Sequence, residues 1–168
     1  MIDDDIDNEE LTHTKTVFRR HSKGSVMFSG CSPSGDVIVI DNISSTKSYD
    51  LTGWYIERQT DAHSFLRYTF TNNFIIPPWT TIELWSSSAA NRTMPNDVEY
   101  NQSSKSIEKH QEQQQQQQQQ SFVRVKTKLL TWNTGLQWSI NRLMDSNGHE
   151  RAIFTHRTLT SIEQEKEE

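Results

Sequence analysis

Short apolar runs separated by turn residues constrain the fold of this chain more than any other feature of its sequence. From Gly24 onward they recur at residues 25–29, 37–40, 54–58, 66–70, 80–85, 136–140 and 151–154. Several of them alternate apolar and polar side chains, which places the apolar ones on one face of a strand. Asn147-Gly148 is the strongest local hairpin signal, because both residues tolerate positive φ. No window shows a helical period, so the sequence predicts an all-β sandwich or barrel.

Large apolar side chains within these runs predict the core. Hydrophobic residues make up only 32% of the chain, but the aromatic fraction is 10% and includes five tryptophans. A disordered chain is poor in aromatic residues, so these values indicate one compact core diluted by polar segments. The expected core residues are Trp54, Ile56, Phe70, Ile82, Leu84 and Leu143.

Composition divides the chain into one domain with two tails and an insertion. Residues 1–23 are acidic and then basic and predict a disordered tail, whereas residues 24–157 carry the strand pattern. The domain is interrupted at 101–121 by a polar segment with eight consecutive glutamines, which predicts a disordered loop. A role for this run as a polyglutamine association segment stays open. Residues 158–168 predict an acidic, solvated tail.

The net charge of −5 hides an uneven distribution. Residues 1–10 contain six acidic residues and no base, and residues 158–168 carry −3, so the body between them carries +4. This net charge of residues 11–157 permits weak contact with polyanions but is far below the strongly basic net charge of a dedicated nucleic-acid binder. The single cysteine, Cys31, excludes an intramolecular disulfide and is interpreted as an unreactive surface thiol. No run is long enough for a membrane span and the N-terminus is unlike a secretory signal, which favours an intracellular protein.

Patterns typical of catalytic or metal sites are absent from the sequence. The six histidines are scattered, and His149 and His156 would lie on opposite faces of a strand. There is no Cys-x-x-Cys, nucleophile elbow, phosphate-binding loop or dinucleotide fingerprint. The sequence therefore predicts no enzymatic activity, no catalytic or metal-binding residue, no cofactor and no small-molecule substrate.

Basic residues form two weak clusters. One lies in the N-terminal segment, at Lys15, Arg19, Arg20 and Lys23, and is too short to be convincing as a nuclear import signal. The other consists of Arg124, Lys126 and Lys128, whose alternation predicts that they share one strand face. The favoured interpretation is an edge strand protected from aggregation by charge. The alternative is contact with nucleic-acid phosphates or with an acidic protein.

Six segments, in this order, point to a family. They are 35–44 (GDVIVIDNIS), 51–58 (LTGWYIER), 68–70 (YTF), 81–86 (TIELWS), 132–135 (WNTG) and 143–152 (LMDSNGHERA). No single segment is diagnostic, but their combination resembles the lamin tail domain, the immunoglobulin-like domain of nuclear lamins in the intermediate filament family. The resemblance covers residues 24–100 and 122–157.

The resemblance implies an immunoglobulin-like β-sandwich of about nine strands and no enzymatic activity. It implies a structural and interaction module of the nuclear lamina, located in the nucleus, with nuclear-envelope or chromatin proteins and other lamins as partners. The chain has neither the heptads of a filament rod nor a prenylation box. It is therefore expected to be either the C-terminal part of a filament subunit or a separate small protein, with no membrane span or prenyl anchor.

The resemblance also directs attention to basic residues near the Y-x-F strand. Thr69 and Asn73, which are not basic, occupy that neighbourhood here, so the basic residues that remain near this strand are Arg58 and Arg67. The expected contact residues are thus Arg58, Arg67, Arg124, Lys126 and Lys128. Two other functions remain open: a nucleic-acid-binding module with weak DNA contact through phosphates, and an accessory binding domain of an enzyme, as in bacterial proteins with similar domains.

Overall fold

The computed structural model describes residues 14–32, 34–62, 65–71, 73–93, 121–133, 135 and 137–160. Their elements are β1 (Lys15–Ser22), β2 (Val26–Cys31), β3 (Val37–Asn42), β4 (Tyr49–Asp50), β5 (Tyr55–Thr60), β6 (Phe65–Thr69), β7 (Ile75–Ile76), β8 (Thr80–Trp85), α1 (Ser87–Thr93), β9 (Ser121–Lys126), β10 (Trp138–Met144) and β11 (Glu150–Leu159). In these ranges no helix is long and apolar enough to cross a membrane. The glutamine run and most of both predicted acidic tails lie outside the described residues.

Nine of the strands form two sheets around one core. The antiparallel five-stranded sheet has the order β1-β11-β10-β5-β6, and the four-stranded sheet has the order β2-β3-β8-β9. The short strands β4 and β7 pair with each other. Buried side chains from both sheets form a single hydrophobic cluster. The predicted all-β, immunoglobulin-like sandwich is confirmed.

Most of the expected core residues lie between the two sheets. Ile56, Phe70, Ile82, Leu84 and Leu143 are each at most 1% exposed. On β8 the inward positions of Ile82 and Leu84 follow from strand alternation, with Glu83 facing outward between them. Each of these side chains removes its apolar surface from water and stabilises the fold by about 1.5–3 kcal/mol.

The most deeply buried tryptophan is Trp132 rather than Trp54. Trp132 is fully buried, its indole Nε1 donates to the Leu84 carbonyl oxygen at 2.8 Å, and its ring meets Tyr68 edge-on. Trp54 precedes β5 and is half-buried at the border of the core, with the Arg151 guanidinium 5.7 Å from its ring centroid. The prediction of Trp54 as a core residue is corrected, because Trp54 lies in the turn before β5 and packs against the core from its border.

The N-terminal segment is not a tail throughout. Residues 15–22 form the edge strand β1, which pairs along its whole length with β11, from Lys15↔Leu159 to Ser22↔Ala152. The Phe18 ring centroid lies 5.9 Å from that of Phe154. The tail prediction is wrong for these residues because β1 depends on main-chain pairing and shows no apolar alternation. For the same reason the last strand continues past residue 157, the predicted end of the domain.

The predicted hairpin at Asn147-Gly148 joins β10 to β11 and is confirmed. Gly148 has φ of 80° and its N–H donates to the Asp145 carbonyl oxygen at 3.0 Å. The Asp145 carboxylate accepts the backbone N–H groups of His149 and Asn147, each at 2.9 Å. These bonds, first that from His149, lower the pKa of Asp145. Of the two turn residues, Gly148 takes the positive φ.

Strand β9 runs parallel to β8 and forms one edge of the four-stranded sheet. Its two ends are held by main-chain bonds of 2.8 Å, from Ser121 N–H to the Trp79 carbonyl and from Thr127 N–H to the Trp85 carbonyl. Helix α1 follows β8, and Ala90 N–H donates to the Ser86 carbonyl at 2.9 Å. With only seven residues, α1 is too short to give the sequence a helical period.

The difference in burial between the two tryptophans predicts different costs of truncation. We expect Trp132→Ala to lower the free energy of unfolding by about 3–5 kcal/mol, since it leaves a cavity and removes the bond to Leu84. Trp54→Ala, the matched control, should cost about 1–2 kcal/mol. Urea unfolding followed by circular dichroism measures both values. Equal losses, or a larger loss for Trp54→Ala, would contradict this assignment of the core.

Candidate interaction surfaces

Arg58 lies inside the sandwich, so its prediction as a contact residue is wrong. The side chain is 1% exposed because β5 alternates and turns Arg58 inward, together with Ile56 and Thr60. Its Nε and Nη2 donate to the Asn133 carbonyl oxygen at 3.2 and 3.0 Å, and Nη1 donates to Asn141 Oδ1 at 2.9 Å. Arg58 therefore anchors the segment after Trp132 to β10.

Burial lowers the pKa of Arg58, but a guanidinium keeps its charge in proteins. The interior around it is correspondingly polar. Asn141 donates onward to the Phe154 carbonyl oxygen at 3.2 Å, and Ser139 Oγ lies 2.7 Å from His156 Nδ1. These hydrogen bonds satisfy groups whose burial would otherwise be unfavourable.

The inward positions of β10 are thus occupied partly by polar side chains. Ser139 and Asn141 are buried, whereas Trp138 and Ile140 point to the outer face and are half-buried. Trp138 therefore belongs to the outer surface of the sheet.

Cys31 is not a surface thiol. It is half-buried at the end of β2 and packs against the hydrophobic cluster. Desolvation raises its pKa to about 12, so the thiol stays protonated at neutral pH.

Arg67 lies on the outer face of β6, as expected of a contact residue. Its Nη2 is 2.6 Å from Glu57 Oε1 on the neighbouring strand, and its guanidinium lies 4.5 Å from the Tyr55 ring centroid. The Arg67 side chain remains about half exposed. An ion pair this exposed contributes at most about 1 kcal/mol to stability.

The basic row on β9 is mostly engaged within the chain. Arg124 Nε is 3.1 Å from Glu83 Oε2, and the guanidinium lies 4.9 Å from the Phe122 ring centroid. Lys126 donates to Asn91 Oδ1, and Lys128 lies beyond the end of the strand. Arg124 and Lys126 share the outer face of an edge strand, which agrees with the interpretation as a charge-protected edge.

The five expected contact residues do not converge on one site. Arg58 is internal, Arg67 lies on the five-stranded sheet, and the β9 row lies on the other sheet. A single basic patch built from these side chains is therefore not present in the structure.

A different basic surface covers the outside of β1, β11 and β10. Cross-strand pairs Val17↔Arg157, Trp138↔Arg157 and Arg142↔Ile153 place basic and apolar side chains on one face. This outer arginine face consists of Val17, Arg19, Trp138, Ile140, Arg142, Ile153 and Arg157. The sequence predicts a strand at 136–140 but not this face, because the face also includes β1, which the sequence predicts as a tail.

A model of the Lamin Tail Domain matches residues 19–158 of the chain. The chain belongs to the lamin tail domain family. This confirms the resemblance found in the sequence, and the match begins within β1, inside the predicted tail.

The curated relatives of this lamin tail domain are intermediate filament proteins. Muscle cell intermediate filament protein OV71 of Onchocerca volvulus is 28% identical over 87 residues, which are 52% of this chain and 20% of that protein. Intermediate filament protein B of Ascaris suum is 23% identical over 146 residues, 87% of this chain and 20% of that protein. The 70 kDa neurofilament protein of Doryteuthis pealeii is 23% identical over 145 residues, 86% of this chain and 18% of that protein. The match to this chain thus covers about a fifth of the length of each of these relatives.

Replacing Arg58 tests its role as an internal anchor. Arg58→Met should lower the free energy of unfolding by about 3 kcal/mol, because the Asn133 carbonyl and the Asn141 amide lose their partner. Arg67→Met, at the exposed pair, should cost at most about 1 kcal/mol. Chemical denaturation distinguishes the two variants. A near-neutral Arg58→Met would mean that the guanidinium does not hold the two segments together.

The buried His156 predicts a loss of stability on acidification. Desolvation and, secondly, the charge of Arg58 lower its pKa, while Asp61 opposes them. The unfolded state therefore binds a proton more readily, so stability is retained above the ordinary histidine pKa of about 6.5 and decreases as the pH falls below it. His156→Gln should flatten the fall of melting temperature between pH 7 and 5, whereas His149→Gln, in the exposed turn, should not. An unchanged slope in His156→Gln would contradict this prediction.

Proposed function

We propose that this lamin tail domain is a non-catalytic structural and interaction module of the nuclear lamina. In this role it binds nuclear-envelope or chromatin proteins and other lamins, as the tail of a filament subunit. The family match and the intermediate filament relatives support the structural part. The nuclear location and the classes of partner are part of the proposal.

The observation that carries the interaction role is the outer arginine face. Arg19 and Arg157 are exposed there, beside the half-buried Trp138 and Ile140. Arginine and aromatic side chains are enriched where proteins bind one another and often dominate the binding energy. A sheet surface of this composition suits a protein partner.

Phosphate contact through the row on β9 is less well supported. Arg124 is paired with Glu83 and Lys126 with Asn91, so both side chains would exchange internal partners for phosphate. If this row bound DNA, affinity would fall steeply with salt, and Arg124→Gln/Lys126→Gln would reduce that dependence.

A fluorescent fusion of the full chain tests the proposal in cells that contain a lamina. We expect enrichment at the nuclear rim, with recovery after photobleaching slowed by binding. Arg142→Glu/Arg157→Glu should weaken retention on the order of fivefold or more, since each central arginine contact contributes at least about 1 kcal/mol. Arg124→Glu, on the other sheet, is the matched control and should leave retention unchanged.

Two outcomes would contradict the proposal. Association with cytoplasmic filaments and exclusion from the nucleus would overturn the nuclear location but keep the filament role. Retention lost in Arg124→Glu and kept in Arg142→Glu/Arg157→Glu would move the partner surface to β9.

A further inference from the structure

Two adjoining concavities, of about 230 and 380 Å³, open on the outer arginine face. Both are lined by Trp138 and Arg157, which stand between them. The first is also lined by Val17 and Arg19, and the second by Thr14. We call these five residues together the Trp138 groove. It provides one aromatic ring, one aliphatic side chain and two guanidinium groups along a shared depression.

Four surface arginines of the fold are paired with carboxylates, whereas the two arginines of the groove, like Arg20 on the other face of β1, are not paired with any among the described residues. Arg67, Arg92, Arg124 and Arg142 each lie within 3.4 Å of a carboxylate oxygen. Arg19 and Arg157 are exposed, and neither forms an ion pair within the part of the chain that the structure describes.

The strand register brings these two charges together. The pairs Val17↔Arg157 and Arg19↔Thr155 put Arg19 diagonally opposite Arg157 on one face. Diagonal neighbours in a sheet are about 7–8 Å apart, near enough for repulsion between like charges. A ligand with several carboxylates relieves that repulsion and gives both guanidinium groups partners.

The sequence of the chain itself contains a segment with several carboxylates, a few residues before the groove. Thr14 lines the groove and immediately precedes β1. Residues 1–10 carry six acidic side chains and no basic one, and they include the apolar Ile2 and Ile6. Residues 11–13 separate them from Thr14 and, fully extended, reach about 10 Å. For connections this short the effective concentration is in the millimolar range.

We propose that the acidic segment 1–10 binds the Trp138 groove of its own chain. Its carboxylates pair with Arg19 and Arg157, and its isoleucines supply apolar contacts for Trp138 and Val17. The bound segment covers part of the outer arginine face, so an acidic partner protein has to displace it. The proposal depends on charges within this chain alone and does not require the nuclear location or any partner proposed above.

The C-terminal residues 161–168 leave the fold at the same corner, since Lys15 pairs with Leu159. They contain four glutamates and one lysine, a net −3 against −6 for residues 1–10. Residues 161–168 contain one isoleucine, Ile162, against two in residues 1–10, so the larger charge is the main reason to favour the N-terminal segment as the occupant.

Paramagnetic relaxation enhancement in the full chain tests the contact. A nitroxide is attached through Asn8→Cys at neutral pH, where the buried, protonated Cys31 thiol reacts slowly. At 20 mM salt we expect the amide signals of Arg19, Trp138 and Arg157 to lose more than half of their intensity. The signals should recover at 0.5 M salt, where the Debye length is only a few ångströms.

Three variants test whether charge pairing in the groove causes the loss of signal. Changing the four aspartates of residues 1–10 to asparagine should abolish the broadening, and so should Arg19→Gln/Arg157→Gln. Arg124→Gln/Lys126→Gln, on the other sheet, should leave it unchanged. The residues changed in these three variants are exposed, half-buried at the surface or outside the described fold. The dispersion of the amide spectrum reports whether each variant is folded. If an arginine variant unfolds, the aspartate variant and the salt series still decide the outcome.

Three results would overturn the proposal. The amide signals of Arg19, Trp138 and Arg157 could keep their intensity at low salt, or they could lose it even after the aspartates are neutralised. The signals that lose intensity could also be those of Arg124 and Lys126. Broadening that increases with protein concentration would mean that the segment binds a second copy. Loss of the effect on removal of charge from residues 161–168, rather than from residues 1–10, would assign the groove to the C-terminal segment.

Discussion

The buried guanidinium of Arg58 is the interaction that holds the interior face of the five-stranded sheet to the segment after Trp132. A cation in an apolar interior is tolerated only where hydrogen-bond acceptors surround it. The Asn133 carbonyl and the Asn141 amide oxygen fill that role. With Asn141 and the core residue Leu143 facing inward, strand alternation turns Trp138 and Ile140 outward. The apolar part of the outer arginine face is therefore linked to the inward side chains on the same strand.

Local patterns in the sequence were sufficient to predict the fold class and much of its framework. The hairpin at Asn147-Gly148 needs a positive φ at one position, and the inward positions of Ile82 and Leu84 follow from alternation on a single strand. These features depend on residues that are neighbours along the chain. On β10 the apolar residues at 138 and 140 identify a strand but not its inner face, because Trp138 and Ile140 point outward while Ser139, Asn141 and Leu143 point inward.

Features that depend on distant residues could not be predicted in the same way. β1 is a strand because it pairs with β11 at the opposite end of the chain, and its own side chains show no period. Arg58 was expected to be a contact residue because it is one of the two basic residues that remain near the Y-x-F strand. Its burial requires partners at positions 133 and 141, whose proximity only the folded chain reveals. The candidate surface could not be predicted for the same reason, since two of its residues, Val17 and Arg19, lie on β1.

The parallel pairing of β8 with β9 has a consequence for the glutamine run that separates them in sequence. Parallel neighbours need a crossover connection, so residues 94–120 belong to that crossover together with α1. Main-chain bonds to Trp79 and Trp85 set the register of β9 independently of the length of the crossover. Each doubling of a flexible connection costs only about 0.6 kcal/mol. Gain or loss of glutamine codons would therefore leave the register of β9, and with it the sandwich, intact.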